Sequence, residues 1–145
     1  MTELPTAPPP RVPRVIVADD DRAFRNLLAV SLALRGLDVL TAIDGSELGE
    51  YLDCCPRDYF DMVVTDVHMP GHRGTELLWR YGQERPFVLV TACADDAVRG
   101  AGERYGARDI LEKSMSMDEL CEHIVSAIER VRGVRPTLAP LPARQ

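Results

Sequence analysis

Phe60-Asp-Met-Val-Val-Thr-Asp66-Val-His-Met-Pro70-Gly-His-Arg-Gly74 begins as an apolar run and ends as a turn. Met62, Val63 and Val64 carry the chain across a core as a buried strand. The run delivers one carboxylate, Asp66. Pro70, Gly71 and Gly74 then force an irregular loop. An acid at the C-terminal end of a buried strand stands at the mouth of a sheet. In open α/β folds, ligands bind along that edge. The fold and the function both turn on whether other strands bring polar groups to Asp66.

Working outward, similar strand signals recur. Val15-Ile16-Val17-Ala18 is short, apolar and rich in β-branched residues, and it ends in Asp19-Asp20-Asp21. Like charges about 4 Å apart repel by roughly 4 kcal/mol at an effective dielectric near 20, so this cluster needs relief. Asp21 can leave it by capping the next helix. Asp19 and Asp20 then remain, either as a solvated turn or as oxygen ligands for a hard divalent cation. Residues 22–35 read as a helix in which Phe24, Leu27, Leu28 and Leu34 recur at helical spacing, stopped by Gly36. Residues 37–42 read as a second strand. Asp44-Gly45 reads as a turn, and Leu48, Tyr51 and Leu52 mark a short helix that Pro56 ends. The third strand is expected over 60–65, and a helix over 76–81 with Leu77 and Leu78 inward and Trp79 packed on it. Phe87-Val88-Leu89-Val90 is a fourth strand, delivering Thr91 and the small Ala92. A helix over 95–106 faces inward through Val98, Ala101 and Tyr105, weakened by Gly100 and Gly102. Ile110-Leu111 is a fifth strand, delivering Lys113. Ser116 and Glu119 form a capping box, and Met117, Leu120, Ile124, Ile128 and Val131 give the last helix its inner stripe.

This alternation defines a (βα)5 α/β fold with a parallel sheet and helices on both faces. Four strand ends then carry an acid pair, an acid, a hydroxyl and an ammonium. Lys113 stands out further because it is the one lysine among 17 basic residues, the rest being arginine. A compact point charge suits a role that a guanidinium does not.

Bulk properties narrow the function. A chain of 145 residues is expected to form one domain. A formal charge of −6 argues against nucleic acid as a direct partner. No apolar run is long enough for a membrane span, and the Pro-rich start has no signal-peptide core. Cys54, Cys55, Cys93 and Cys121 form no CxxC pair and read as reduced thiols of a cytoplasmic protein. Residues 1–13 read as a Pro-rich disordered tail and 133–145 as a C-terminal tail or linker, with the folded domain at 14–132.

Over residues 14–132 the chain resembles a response-regulator receiver domain of two-component signalling. The pieces that carry the resemblance are Val15-Ile-Val-Ala-Asp-Asp-Asp21, Val63-Val-Thr-Asp-Val-His-Met-Pro-Gly-His-Arg-Gly74, Val88-Leu-Val-Thr-Ala92 and the strand end at Lys113. The resemblance implies a flavodoxin-like doubly wound sheet of order 2-1-3-4-5. It implies that Asp66 accepts a phosphoryl group from a sensor histidine kinase or phosphotransfer protein. Asp20 would bind Mg2+ directly, Asp19 through water, and Asp66 and the His68 backbone carbonyl would complete the protein ligands; Mn2+ can substitute. Thr91 and the Ala92 amide would meet the phosphoryl oxygens, and Lys113 would pair with them. The chain would then catalyse its own phosphorylation and dephosphorylation without being a metabolic enzyme. Its output would pass to a protein partner across the face of the fourth helix, fifth strand and fifth helix, with a homodimer compatible with that face.

The chain departs from the family pattern at three places. Ser114 replaces the usual proline after the lysine, which leaves cis and trans both open for the Lys113–Ser114 bond. Ile110 replaces the usual aromatic switch residue, so a signal must travel by backbone or helix shifts. His68 and Cys93 occupy positions that tune phosphoryl lifetime in the family. Other residues read plainly. His68 and His72 are separated by Pro70-Gly71 and form no helical metal pair, and His123 reads as a boundary residue. Cys93 reads as a small filler. The alternative function is a phosphorylation-independent pseudo-receiver acting as a protein-binding module. A flavin carrier of similar sheet order is disfavoured, because the loop after the first strand is acidic.

Overall fold

The computed structural model describes residues 11–133. Strands and helices alternate: β1 (Arg14–Ala18), α1 (Arg22–Leu34), β2 (Asp38–Ala42), α2 (Gly45–Cys54), β3 (Met62–Thr65), α3 (Gly74–Tyr81), β4 (Phe87–Thr91), α4 (Asp96–Tyr105), β5 (Asp109–Glu112) and α5 (Met117–Arg132). All pairings are parallel and the order is β2-β1-β3-β4-β5. The chain starts mid-sheet at β1, steps outward to β2, and returns past β1 to β3. That reversal puts helices on both faces. Strand alternation divides the core accordingly. Val15, Val17, Met62, Val64, Val88 and Val90 pack with α1 and α5, whereas Ile16, Ala18, Val63, Phe87 and Leu89 pack with α2, α3 and α4.

Caps set the helix boundaries. Asp21 caps α1 by accepting from the Phe24 amide at 3.1 Å. Ser116 caps α5 by accepting from the Glu119 amide at 3.1 Å, while Glu119 makes no return bond among the described residues. A further side-chain cap lies at Asp44, which sequence reads only as a turn. Asp44 accepts from the Glu47 amide at 2.9 Å, and Glu47 accepts from the Ile43 amide at 3.2 Å. α2 therefore starts at Gly45 and ends at Cys54, before Pro56 as expected. At its far end the buried Arg85 guanidinium donates to the carbonyls of Leu52 and Cys55.

Two local expectations, the start of β3 and the packing of Trp79, are corrected, and the inner side of α1 is fixed. β3 begins at Met62 rather than Phe60, because Asp61 turns its carboxylate onto the Arg14 amide at 2.7 Å. In α1, Leu27 and Leu34 are 55% and 71% exposed, and the buried stripe is Arg25, Leu28 and Leu32. At about 100° per residue, 27, 30 and 34 share the opposite side of the helix. Trp79 belongs to α3 but faces outward, 60% exposed, because Leu77 and Leu78 take the inner positions.

Candidate functional site

Each strand of the sheet's C-terminal edge delivers what the sequence places there. The Asp66 amide donates to the Ala18 carbonyl at 2.9 Å, which sets the acid beside Asp19 as β1 and β3 end together. The Lys113 amide donates to the Thr91 carbonyl at 2.8 Å, which extends the β4–β5 ladder to the lysine. Carboxylate oxygens of Asp19, Asp20 and Asp66 lie within 4.8 Å of one another. The Lys113 Nζ sits 2.7 Å from Asp19 Oδ2 and 3.3 Å from Asp66 Oδ2. The sole lysine thus relieves part of the repulsion among these acids.

Close backbone approach builds the loop after Asp66. Asp66 Oδ1 accepts from the Val67 amide at 2.7 Å, and the Gly74 amide donates to the Val67 carbonyl at 2.9 Å. A Cβ on Gly74 would lie 2.1 Å from the Asp66 carbonyl oxygen, so only glycine lets α3 start this close to the acid. The Gly45 amide donates to the Pro70 carbonyl at 3.1 Å and ties the loop to the start of α2.

Asp66 is 7% exposed. Burial and then the charge of Asp19 push its pKa up, against the opposing pull of Lys113 and the Val67 amide. Burial is the largest influence on Lys113 and lowers its pKa. The hydrogen bond to Asp19 and the charges of Asp66 and Asp19 together outweigh it, and the net shift is upward. The ammonium also rests 4.6 Å from the centre of the Phe24 ring.

The remaining site candidates lie around this cluster. Thr91 is fully buried at the end of β4, and its hydroxyl donates to the Cys93 carbonyl at 3.4 Å rather than to Asp66. Ala92 and His68 are exposed on the two flanking loops. The Lys113–Ser114 bond is trans, as are all peptide bonds of the described residues. His72 pairs with Glu76 at 2.7 Å and His123 with Asp109 at 3.2 Å. Two residues that hold the site were not placed there from sequence: Phe24, read only as a helix position and found under Lys113, and Arg25, whose Nη1 donates to the Asp19 carbonyl at 2.8 Å. The available signal for Arg25 was its spacing of three and seven from Leu28 and Leu32.

The three carboxylates offer an all-oxygen donor set suited to a hard cation such as Mg2+. Set at the C-terminal edge of a 2-1-3-4-5 sheet, they define the receiver class of signalling domain. Comparison with known proteins agrees. The family model described as "Response regulator receiver domain" matches residues 15–125. Response regulator MprA of Mycolicibacterium vanbaalenii is 38% identical over 120 residues, covering 81% of this chain and 51% of its own length. The chain spans about half the length of the curated relatives it matches. A CheY-like receiver domain protein from Methanospirillum hungatei has the same fold, with a TM-score of 0.78 at 21% identity over 85% of this chain and 98% of that one. The Francisella response regulator 1452 receiver domain gives 0.72 at 27% identity, over 81% and 98%. The chain belongs to the response regulator receiver domain family of two-component signalling.

Proposed function

We propose that the chain is a phosphorylation-activated switch whose phosphoacceptor is Asp66. The observation that carries this reading is the convergence of Asp66 with Asp19, Asp20 and Lys113 in one cluster. An Asp66 carboxylate oxygen attacks the phosphorus of a phosphohistidine on a sensor kinase or phosphotransfer protein. The P–N bond breaks, its electron pair leaves with the imidazole, and an acyl phosphate forms. Water later attacks the same phosphorus, releasing phosphate and regenerating the carboxylate. Little covalent help is needed; charge neutralisation and positioning carry the catalysis.

The residue roles follow from the surroundings of each group. Asp20 is exposed and makes no hydrogen bond or ion pair among the described residues, so it would be free to bind Mg2+ or Mn2+ directly. Asp19, already bonded to Lys113, would act through water. Asp66 and the His68 carbonyl would complete the protein ligands. Bound there, Mg2+ neutralises charge on the acids and the transferring phosphoryl group. Lys113 moves from the carboxylates to the phosphoryl oxygens. The Thr91 hydroxyl leaves the Cys93 carbonyl for them, beside the Ala92 amide. That shift passes from β4 to β5 and reaches α4 where Ile110 packs at Gly102. Output leaves through the α4–β5–α5 face to a protein partner or a second copy. The proposed domain is 14–132; of the expected tails at 1–13 and 133–145, residues 1–10 and 134–145 lie outside the described range, while Pro13 is buried and its carbonyl accepts from the Asp38 amide at 2.9 Å. The setting is cytoplasmic; no helix of the described residues is long and apolar enough to cross a membrane.

The test is incubation with acetyl phosphate and Mg2+, read by intact mass. One phosphoryl group is expected on wild-type protein, and none with chelator or in Asp66→Asn. No gain in the wild type would contradict the switch and leave a pseudo-receiver. A gain that survives Asp66→Asn would remove Asp66 as acceptor.

A further inference from the structure

Arg25 stands where the inner stripe of α1 calls for an apolar residue. It is only 9% exposed, on the same side as Leu28 and Leu32. A nearly buried guanidinium is costly unless its hydrogen bonds are well placed. Among the described residues it makes no ion pair. Its hydrogen bond goes to a neutral acceptor, the Asp19 carbonyl, at 2.8 Å. Its own amide donates to the Asp21 carbonyl at 2.9 Å, so backbone and side chain of one residue hold both ends of the acidic turn.

The consequence appears at Asp19, whose polar groups are all engaged. Its amide donates to the Ala42 carbonyl at 3.2 Å and its carbonyl accepts from Arg25. Its carboxylate accepts from the Asp21 amide at 2.8 Å and from Lys113 at 2.7 Å. Fixing Asp19 this way fixes the direction in which the next residue, Asp20, leaves the strand. We infer that Arg25 is a positioning residue for the cation site: by pinning the Asp19 carbonyl it holds the Asp19–Asp20 turn in the geometry that receives a divalent cation. This deepens the proposed function and rests on it.

Two effects of Arg25 oppose each other. Its charge repels a dication, so removing it would tighten binding if electrostatics alone mattered. Its hydrogen bond pre-organises the turn, so removing it would weaken binding; loss of such outer contacts typically costs metal sites about 10- to 100-fold in affinity. The inference requires the second to win.

Wild-type protein and its Arg25→Met, Arg25→Lys and Leu28→Ala variants are titrated with Mg2+ by calorimetry. Phosphorylation by acetyl phosphate is then followed against Mg2+ concentration. Arg25→Met is expected to raise the Kd about tenfold while keeping most of its phosphorylation rate at saturating Mg2+. Arg25→Lys, which keeps a donor, is expected to recover part of the affinity. Leu28→Ala, a core truncation on the same stripe, is expected to leave the Kd of the folded protein unchanged. Unchanged or tighter binding by Arg25→Met overturns the inference, as does equal weakening by Leu28→Ala. Should Arg25→Met fail to fold, Arg25→Gln takes its place with the same outcomes. Wild-type protein that takes up no Mg2+ overturns the proposed function itself, whereas wild type and Arg25→Met binding alike overturns only the role of Arg25.

Discussion

Lys113 decides how the site behaves without metal. Asp19 and Asp66 are almost wholly buried, and Lys113, its side chain 19% exposed, is their shared counter-charge. Removing one partner from a fully buried pair costs about 3–5 kcal/mol. The partial exposure of Lys113 reduces this, so Lys113→Met is expected to destabilise the apo protein by about 2 kcal/mol in urea unfolding. The pH dependence has a definite sign. The folded-state pKa of Lys113 is raised, so its contribution is fully present below the ordinary lysine value. It is lost as pH rises through the raised value, and Lys113→Met should flatten that alkaline decline. Asp20 behaves differently because it is exposed. Asp20→Asn is expected to raise the apo melting temperature only slightly while abolishing stabilisation by Mg2+. Differential scanning fluorimetry with and without Mg2+ checks both parts; full Mg2+ stabilisation of Asp20→Asn would remove Asp20 as a ligand. At this scale the sequence was most legible where chemistry is rare, at a lone lysine and a run of acids. Arg25 was hidden because one more arginine among many carries no signal until its burial is known.

At the scale of elements, α4 offers a controlled comparison. Both of its internal glycines cost helix propensity, yet the helix forms over Asp96–Tyr105. Gly100 has nothing within 4 Å of an added Cβ, so Gly100→Ala is expected to stabilise the protein by about 1 kcal/mol. At Gly102 the new Cβ would lie 2.4 Å from Ile110 Cδ1. Repacking Ile110 should offset the propensity gain, so Gly102→Ala is expected to gain nothing or lose stability. Urea midpoints compare the two, and an equal gain would show that Ile110 does not press on α4. Propensity reads both glycines as weaknesses, but only packing distinguishes a spare glycine from a needed one. The same limit left the inner side of α1 open, although the helix itself forms as expected. Leu27, Leu28 and Leu34 are equally apolar, and only the sheet determines which side of the helix is inside. The Asp44–Glu47 cap was readable from its spacing, but the Asp44-Gly45 pair drew attention to a turn instead.

At the scale of the whole molecule, the strand order makes the site. β1 and β3 are neighbours although β2 lies between them in sequence, and β4 and β5 extend the sheet from β3. That topology brings residues 19, 20, 66, 91 and 113 to one edge, and the alternation of strands and helices was enough to anticipate it. The order itself came from family resemblance, since periodicity does not rank strands across a sheet. The outer side of α1, with Leu27, Val30 and Leu34 exposed, was not anticipated, because helical spacing alone does not say which side of α1 meets the sheet. The central claim is that this edge phosphorylates itself on Asp66 and nowhere else. It is tested most directly by treating the protein with acetyl phosphate and Mg2+, trapping any acyl phosphate with borohydride, which reduces it to an alcohol, and mapping the product by peptide mass. Homoserine at position 66 alone, absent without Mg2+, is the expected result. Homoserine at Asp19 or Asp20, or at no position, would contradict it.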